Sequence, residues 1–303
     1  MWLLYAIGSA FFAGITSILA KCGIRKTDST VATAVRTVVI LFFSWAIVLI
    51  IGSETQLSGI SPKTLLFLIL SGAATGASWL CYFRALQLGK ADQVVPVDKS
   101  STVLTIVLAL LFLHEGVSLP KAAATVVIAA GIFMMIERKD GKQTGSADGT
   151  VQRTGSSSGS DAAHWGWFPY ACGSAVFASL TAILGKIGIS GVESNLGTAI
   201  RTTVVLAMAW MMVFVTGRKE ELKEISGNEL FFICASGLAT GASWLCYYHA
   251  LQEGPASVVA PIDKLSVIVT VIFAYFVFGE KLNKKEGAGL LLLVAGTIVM
   301  ALL

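Results

Sequence analysis

The segment "ATGASWLCY" occupies positions 74–82 and returns at 239–247, an offset of 165 residues. At the same offset Lys21 matches Lys186, Arg36 matches Arg201, Asp98-Lys99 match Asp263-Lys264, and Glu115 matches Glu280. No gap separates these landmarks, so the chain is a tandem duplication over nearly all its length. Whatever the first copy folds into, the second must fold into as well.

The solvent for that fold is lipid. Of 303 residues 55% are hydrophobic and 13% charged, with a mean hydropathy of +0.78. A soluble domain carries about 25% charged residues. Apolar stretches of about 20 residues, enough to cross about 30 Å of hydrocarbon, recur ten times. They run near Trp2–Ala20, Val31–Ile51, Thr64–Leu88, Ala91–Leu113, Lys121–Ile136, Trp165–Gly185, Leu196–Thr216, Glu229–Gln252, Ser257–Phe278 and Glu286–Leu303. Barrel strands would be half as long and would alternate apolar with polar residues. The first span lacks a basic leader and a cleavage site, so it reads as a retained helix and not a signal peptide. The expectation is an all-α integral membrane protein of ten transmembrane helices. Residues 1–136 hold helices 1–5 and residues 165–303 hold helices 6–10. The Gly- and Ser-rich stretch 137–164 between them reads as a flexible linker.

Five crossings per half is an odd number. If the first half enters from one face, the second must begin from the other, which makes the halves inverted repeats about an axis in the membrane plane. The basic residues agree. Arg25 and Lys26 become Ser190 and Gly191, while Ser53, Glu54 and Ser58 become Arg218, Lys219 and Lys223. With Arg138, Lys139, Lys142 and Arg153 of the linker, one face gathers fifteen basic residues and the other three. By the positive-inside rule the linker is predicted cytoplasmic and both termini outside, in a multi-pass cell-membrane protein.

The segments "SGAATGASWLCYFRALQLGKADQVVPVDKSSTVLTIVLALLFLHE" and "SGLATGASWLCYYHALQEGPASVVAPIDKLSVIVTVIFAYFVFGE" resemble the drug/metabolite transporter superfamily, in its EamA-type branch. The resemblance covers the chain except the linker, and each copy is similar to single-repeat relatives that pair as inverted dimers. It implies alternating-access transport of small metabolites or drugs, commonly export, with the third helix of each half at the central site. Many relatives keep their termini in the cytoplasm, so the charge count here departs from that pattern.

Within the spans, Gly72-x-x-x-Gly76 and Gly237-x-x-x-Gly241 put two glycines on one helix face, the spacing of close helix packing. Trp79 and Tyr82, with their copies Trp244 and Tyr247, either line a cavity or fill space between helices. Arg36, Asp98, Lys99, Arg201, Asp263 and Lys264 stand in apolar sequence, where a charge costs about 2.5–3.5 kcal/mol even on the lenient insertion scale. Two readings compete. Arg36 with Asp98 and Arg201 with Asp263 are structural ion pairs, or the six charges are cavity, gate or coupling groups. In the second case one pair seals the inner gate and the other the outer gate. Thr102 and Thr105 follow Asp98 on one face, and either bind a ligand or satisfy their own backbone. Pro96 and Pro261 are expected to open the fourth and ninth helices. Glu115 and Glu280, at helix ends, are expected to serve loops.

The two charge sets sum to +2 when ionised, which favours a carboxylate- or phosphate-bearing solute. The first helix holds no acid for a cationic drug. Asp98 and Asp263 are the candidates for proton coupling. The five cysteines lack metal-ligand spacing. No phosphate-cradling Gly loop with Lys-Ser/Thr is present, and no nucleophile, His and acid set stands out among three histidines. No cofactor, metal, enzymatic activity or nucleic-acid partner is expected. The partners are a small-molecule substrate, the bilayer and candidate protons, in a monomer or homodimer. The favoured function is secondary export of an acidic or zwitterionic metabolite. Export of lipophilic cations, flipping of a phosphate-bearing lipid and a non-transporting interaction role are the alternatives.

Overall fold

The computed structural model describes residues 1–23, 27–89, 91–116, 118–135, 166–278 and 283–303, without the side chains of 91, 92, 96, 277 and 278. The linker 137–164, Arg25, Lys26, Lys90, Glu280, Lys281 and the side chain of Pro96 lie outside the described residues. Those described are helical and include no strand. The α-helices are α1 (Trp2–Gly23), α2 (Ser29–Ile51), α3 (Pro62–Leu88), α4 (Ala91–Lys99), α5 (Ser101–Phe112), α6 (Leu119–Met135), α7 (Phe168–Ile189), α8 (Ser194–Val215), α9 (Gly227–Glu253), α10 (Ala256–Lys264), α11 (Ser266–Phe278) and α12 (Lys284–Leu302). Short 3-10 turns at Ser53–Gly59 and Arg218–Glu224 follow α2 and α8.

The boundaries follow local chemistry, twice over. Asp28 caps α2 by accepting from the Thr30 N–H at 2.8 Å, and Glu193 caps α8 through the N–H groups of Asn195 and Leu196, both at 3.0 Å. Ser61 and Ser226 cap α3 and α9 in the same way. After α2 and α8 the chain turns at Gly52 and Gly217, with φ of 77° and 70°, a conformation that favours glycine.

Nine spans among the described residues are long and apolar enough to cross a membrane; α4–α5 and α10–α11 count as one each. α6, at 17 residues, is shorter and equally apolar. The fourth and ninth spans are both broken, at Ser100 and at Leu265, directly after the Asp-Lys pairs. The break at Leu265 comes four residues past Pro261. The Leu265 N–H turns back tightly to the Ile262 carbonyl at 2.9 Å.

Packing runs between the halves. α1 lies on α9 and α7 on α3; α2 meets α8 and α9, and α8 meets α3; α6 packs on α12. α1 also touches α10 and α11, as α7 touches α4 and α5. Each of these contacts has a counterpart at the 165-residue offset. The glycine pairs explain two of them. A methyl group on Gly72 would stand 2.7 Å from the Arg201 carbonyl oxygen and 2.8 Å from Val204; on Gly237 it would stand 3.1 Å from the Arg36 carbonyl and 2.8 Å from Val39. The glycine faces are thus packing faces. Outside this core, Phe42, Phe231 and Phe276 are each about 70% exposed or more, an apolar exterior suited to lipid and not to water.

Candidate functional site

A cavity of about 380 Å³ opens where α1, α3, α7, α8, α9 and α10 converge. Its wall is built by symmetry-related hydroxyls and tryptophans. Thr16 on α1 meets Thr240 on α9 at 3.2 Å, and Thr181 on α7 meets Thr75 on α3 at 3.3 Å. Trp79 and Trp244 stand in the same wall. Trp79 also packs against Ala34 and Ala209, so it both lines the cavity and fills space.

The charges are not distributed by symmetry. Arg201, Asp263 and Lys264 line the cavity together with Tyr247; Arg36, Asp98, Lys99 and Tyr82 are not part of its wall. Tyr82 packs beside Trp167 and Ala171 instead. Arg201 is only 1% exposed. Its Nη2 donates to Thr75 Oγ1 at 2.8 Å and its Nε to Ser71 Oγ at 3.3 Å. The guanidinium carbon stands 4.2 Å from the Tyr248 ring and 5.3 Å from the Trp244 ring, within cation–π range. Nη1 has no hydrogen-bond partner among the described residues.

The ion pair between Arg201 and Asp263, one of the two competing readings of these charges, is not formed among the described residues. Asp263 Oδ1 accepts from Ser9 Oγ at 2.7 Å, and Ser9 in turn lies 3.3 Å from Ser243 Oγ. Lys264 Nζ stands 3.5 Å from Asp263 Oδ2. In the mirror arrangement Asp98 Oδ1 accepts from Ser174 Oγ at 2.6 Å, and Ser174 lies 3.3 Å from Ser78. Each acid is therefore held by a serine from the opposite half. The reason is topological: α1 and α7 pack into the other half's bundle and their small serines reach the acids, whereas Arg201 on α8 forms no ion pair with Asp263 among the described residues.

The two threonines after Asp98 divide. Thr105 Oγ1 donates to the Ser101 carbonyl at 2.8 Å. Thr102 is 2% exposed and its hydroxyl has no partner among the described residues. Glu115 does more than serve a loop. Its oxygens accept from the N–H groups of Ala256 and Ser257 at 2.6 and 2.9 Å, capping α10 of the other half, and Lys186 Nζ lies 3.7 Å away while also donating to the Gly254 carbonyl. His114, at φ 55°, and Gly116, at φ 77°, turn the backbone on either side of it.

Sequence reasoning missed Ser9, Ser71, Ser78, Thr75, Ser174, Ser243 and Tyr248. One local signal existed for three of them: Ser71, Thr75 and Ser78 recur along one helix face, and so do their copies.

The profile of the EamA-like transporter family matches residues 1–137 and again 165–302. The chain belongs to the EamA-like transporter family. Among its relatives, an uncharacterised transporter encoded in the cobO 3′ region of a Sinorhizobium species is 43% identical over 135 residues, 45% of this chain and 96% of that protein. One whole relative thus corresponds to about half of this transporter. An uncharacterised protein of Methanocaldococcus jannaschii is 29% identical over 135 residues, 42% of this chain and 89% of its own. A probable 4-amino-4-deoxy-L-arabinose-phosphoundecaprenol flippase subunit, ArnE of Pseudomonas aeruginosa, is 35% identical over 63 residues, 21% of this chain and 55% of its own. A solved crystal structure superposes with a TM-score of 0.75 at 15% identity, covering 99% of this chain and 96% of its own; that is a likeness of fold. With its many apolar helices, the transporter is a multi-pass membrane protein.

Proposed function

We propose that the protein is a secondary transporter that exports a small acidic or zwitterionic solute by alternating access through the cavity between its halves. The observation that carries this reading is Arg201. A guanidinium 1% exposed, held by Ser71 and Thr75 and with Nη1 unpartnered among the described residues, stands in the wall of a cavity of about 380 Å³. A buried cation without a counter-ion is costly to keep, and a carboxylate oxygen on Nη1 offsets that cost with a charge-assisted hydrogen bond.

In this reading the chain crosses ten times, with α6 as the fifth crossing and the broken pairs α4–α5 and α10–α11 as the fourth and ninth. The segments 1–136 and 165–303 are inverted halves, the linker is cytoplasmic and both termini are outside. Support comes from the odd number of crossings per half, the reversed charge bias and the matched contacts at the 165-residue offset. Asp98 and Asp263, each held by a serine of the opposite half, are the proton-coupling candidates, because closing and opening the halves makes and breaks those bonds. A second reading, flipping of a phosphate-bearing lipid, has one observation in its favour: the likeness to the ArnE subunit over 63 residues.

A thermal-shift screen of the detergent-purified protein against carboxylates, phosphates, zwitterionic amino acids and quaternary amines tests the reading. Carboxylates or zwitterions are expected to stabilise the wild type and not Arg201→Gln, and to exchange across proteoliposomes. Stabilisation by quaternary amines alone would overturn it. Flip-flop of a phosphate lipid without flux of any soluble solute would favour the second reading.

A further inference from the structure

Beside the main cavity lies a side chamber of about 80 Å³ that shares Tyr247 and Lys264 with it and is closed by Ser101, Thr102 and Thr105 of α5. Its size suits a group of a few heavy atoms and excludes a whole metabolite. Three observations converge on it. The chain starts a new helix here: the Ser100 N–H donates back to the Val97 carbonyl, and the Leu104 N–H donates to the Ser100 carbonyl. The first turn of a helix has N–H groups without intrahelical acceptors and a partial positive charge. The Thr102 hydroxyl, 2% exposed, has no partner among the described residues. In an unbroken helix it would bond the carbonyl four residues back, as Thr105 does with Ser101; for Thr102 that carbonyl is Asp98's, across the break. Lys264, whose Nζ stands 3.5 Å from Asp263 Oδ2, lines the chamber from the break of the other half. The second copy has Val267 where the first has Thr102, so it offers no hydroxyl at the matching position.

We propose that this chamber is an oxyanion subsite for a compact carboxylate or phosphate group, with the Thr102 hydroxyl and the first turn of α5 as donors and Lys264 as the counter-charge. The group is either a free anion or the acidic end of the solute in the main cavity; in the second form the inference rests on the proposed function.

The test is calorimetric titration of the purified full chain with acetate, inorganic phosphate and glutarate. Wild-type protein binds acetate or phosphate, Thr102→Val and Thr102→Ala weaken that binding about tenfold, the scale of one hydrogen bond to a charged group, and Thr102→Ser retains it. All three variants are compared at matched melting temperature and elution profile. No binding by the wild type, or equal affinity in the wild type and the well-folded Thr102→Val or Thr102→Ala, overturns the subsite. Glutarate binding at least tenfold tighter than acetate, with the gain abolished in Thr102→Val, identifies the acidic end of a solute that spans both chambers. No such gain identifies a free anion. Anion binding with this Thr102 dependence but no solute flux in proteoliposomes would sink the transporter reading and keep the subsite. Solute flux, with binding and KM indifferent to Thr102, would do the reverse.

Discussion

Arg36 and Arg201 sit at the same place in two copies of one sequence, on α2 and α8, with their carbonyls pressed against equivalent glycines of α9 and α3. Their side chains live differently. Arg201 is sealed at 1% exposure between Tyr248 and Trp244, in the wall of the cavity, whereas Arg36 is half-buried and stands outside that wall. Two of the differences between the helices around them bear on the site: α9 offers Tyr248 where α3 has Phe83, and α5 offers Thr102 where α11 has Val267. Duplication therefore preserves the frame while substitutions between the copies and the docking of the helices assign the chemistry to one copy.

The largest expected effect tests that assignment. Arg201→Gln is expected to cut kcat/KM for an anionic solute by at least about 100-fold, the scale of removing a charge-assisted hydrogen bond from a buried site. Arg36→Gln is expected to cost less than about tenfold. Counterflow in proteoliposomes measures both, and equal decreases would break the comparison.

The frame, by contrast, predicts symmetry. Gly72→Val and Gly237→Val both drive a side chain into an arginine carbonyl and a valine, and each is expected to destabilise by about 1–3 kcal/mol. Thermal melts in detergent that differ by more than about 1 kcal/mol between the two would show that the packing is less symmetric than the helix pairings.

Glu115→Ala removes the cap on α10 and leaves Lys186 with the Gly254 carbonyl as its one partner among the described residues. The expected cost is about 1–2 kcal/mol, the range for removal of a helix cap, read in the same melts. Lys121, which pins this loop by donating to the Glu115 carbonyl at 2.9 Å, is replaced in the second copy by Glu286, which caps α12 together with Asn283. A melt of Glu115→Ala indistinguishable from wild type would sink the capping role.

The smallest effects belong to the paired threonines. Thr16→Val and Thr181→Val each break one hydroxyl pairing between halves. Each is expected to cost about 0.6 kcal/mol, the mean for interhelical hydrogen bonds in membranes. A destabilisation above about 2 kcal/mol in one only, beyond the usual range for such bonds, would reveal an asymmetry that extends past the arginines.

Much of the frame was legible before any coordinate. Apolar length gave the helices, the prolines forewarned of breaks in the fourth and ninth spans, and Gly-x-x-x-Gly announced the close approaches. These are local properties: a rise of about 1.5 Å per residue and a period of about 3.6 turn spacing directly into faces and lengths. In the sequence, whether Arg201 pairs with Asp263 stays open between two readings, because that contact is not local. Which groups meet across α1, α8 and α10 depends on how helices from opposite halves dock, and small serines on α1 and α7 reach the acids first.

By itself, then, the amino-acid order determined a duplicated, helical, lipid-solvated chain and the residues costly enough in a membrane to need a reason. The two copies share their succession of apolar spans, their glycine pairs, the matched Arg36 and Arg201, and their Asp-Lys pairs, so no reading of either could say which would hold the site. The tertiary structure decided that. It buries one arginine between aromatic rings with an N–H unpartnered among the described residues, and it strands one threonine hydroxyl across a helix break from the carbonyl it would otherwise bond.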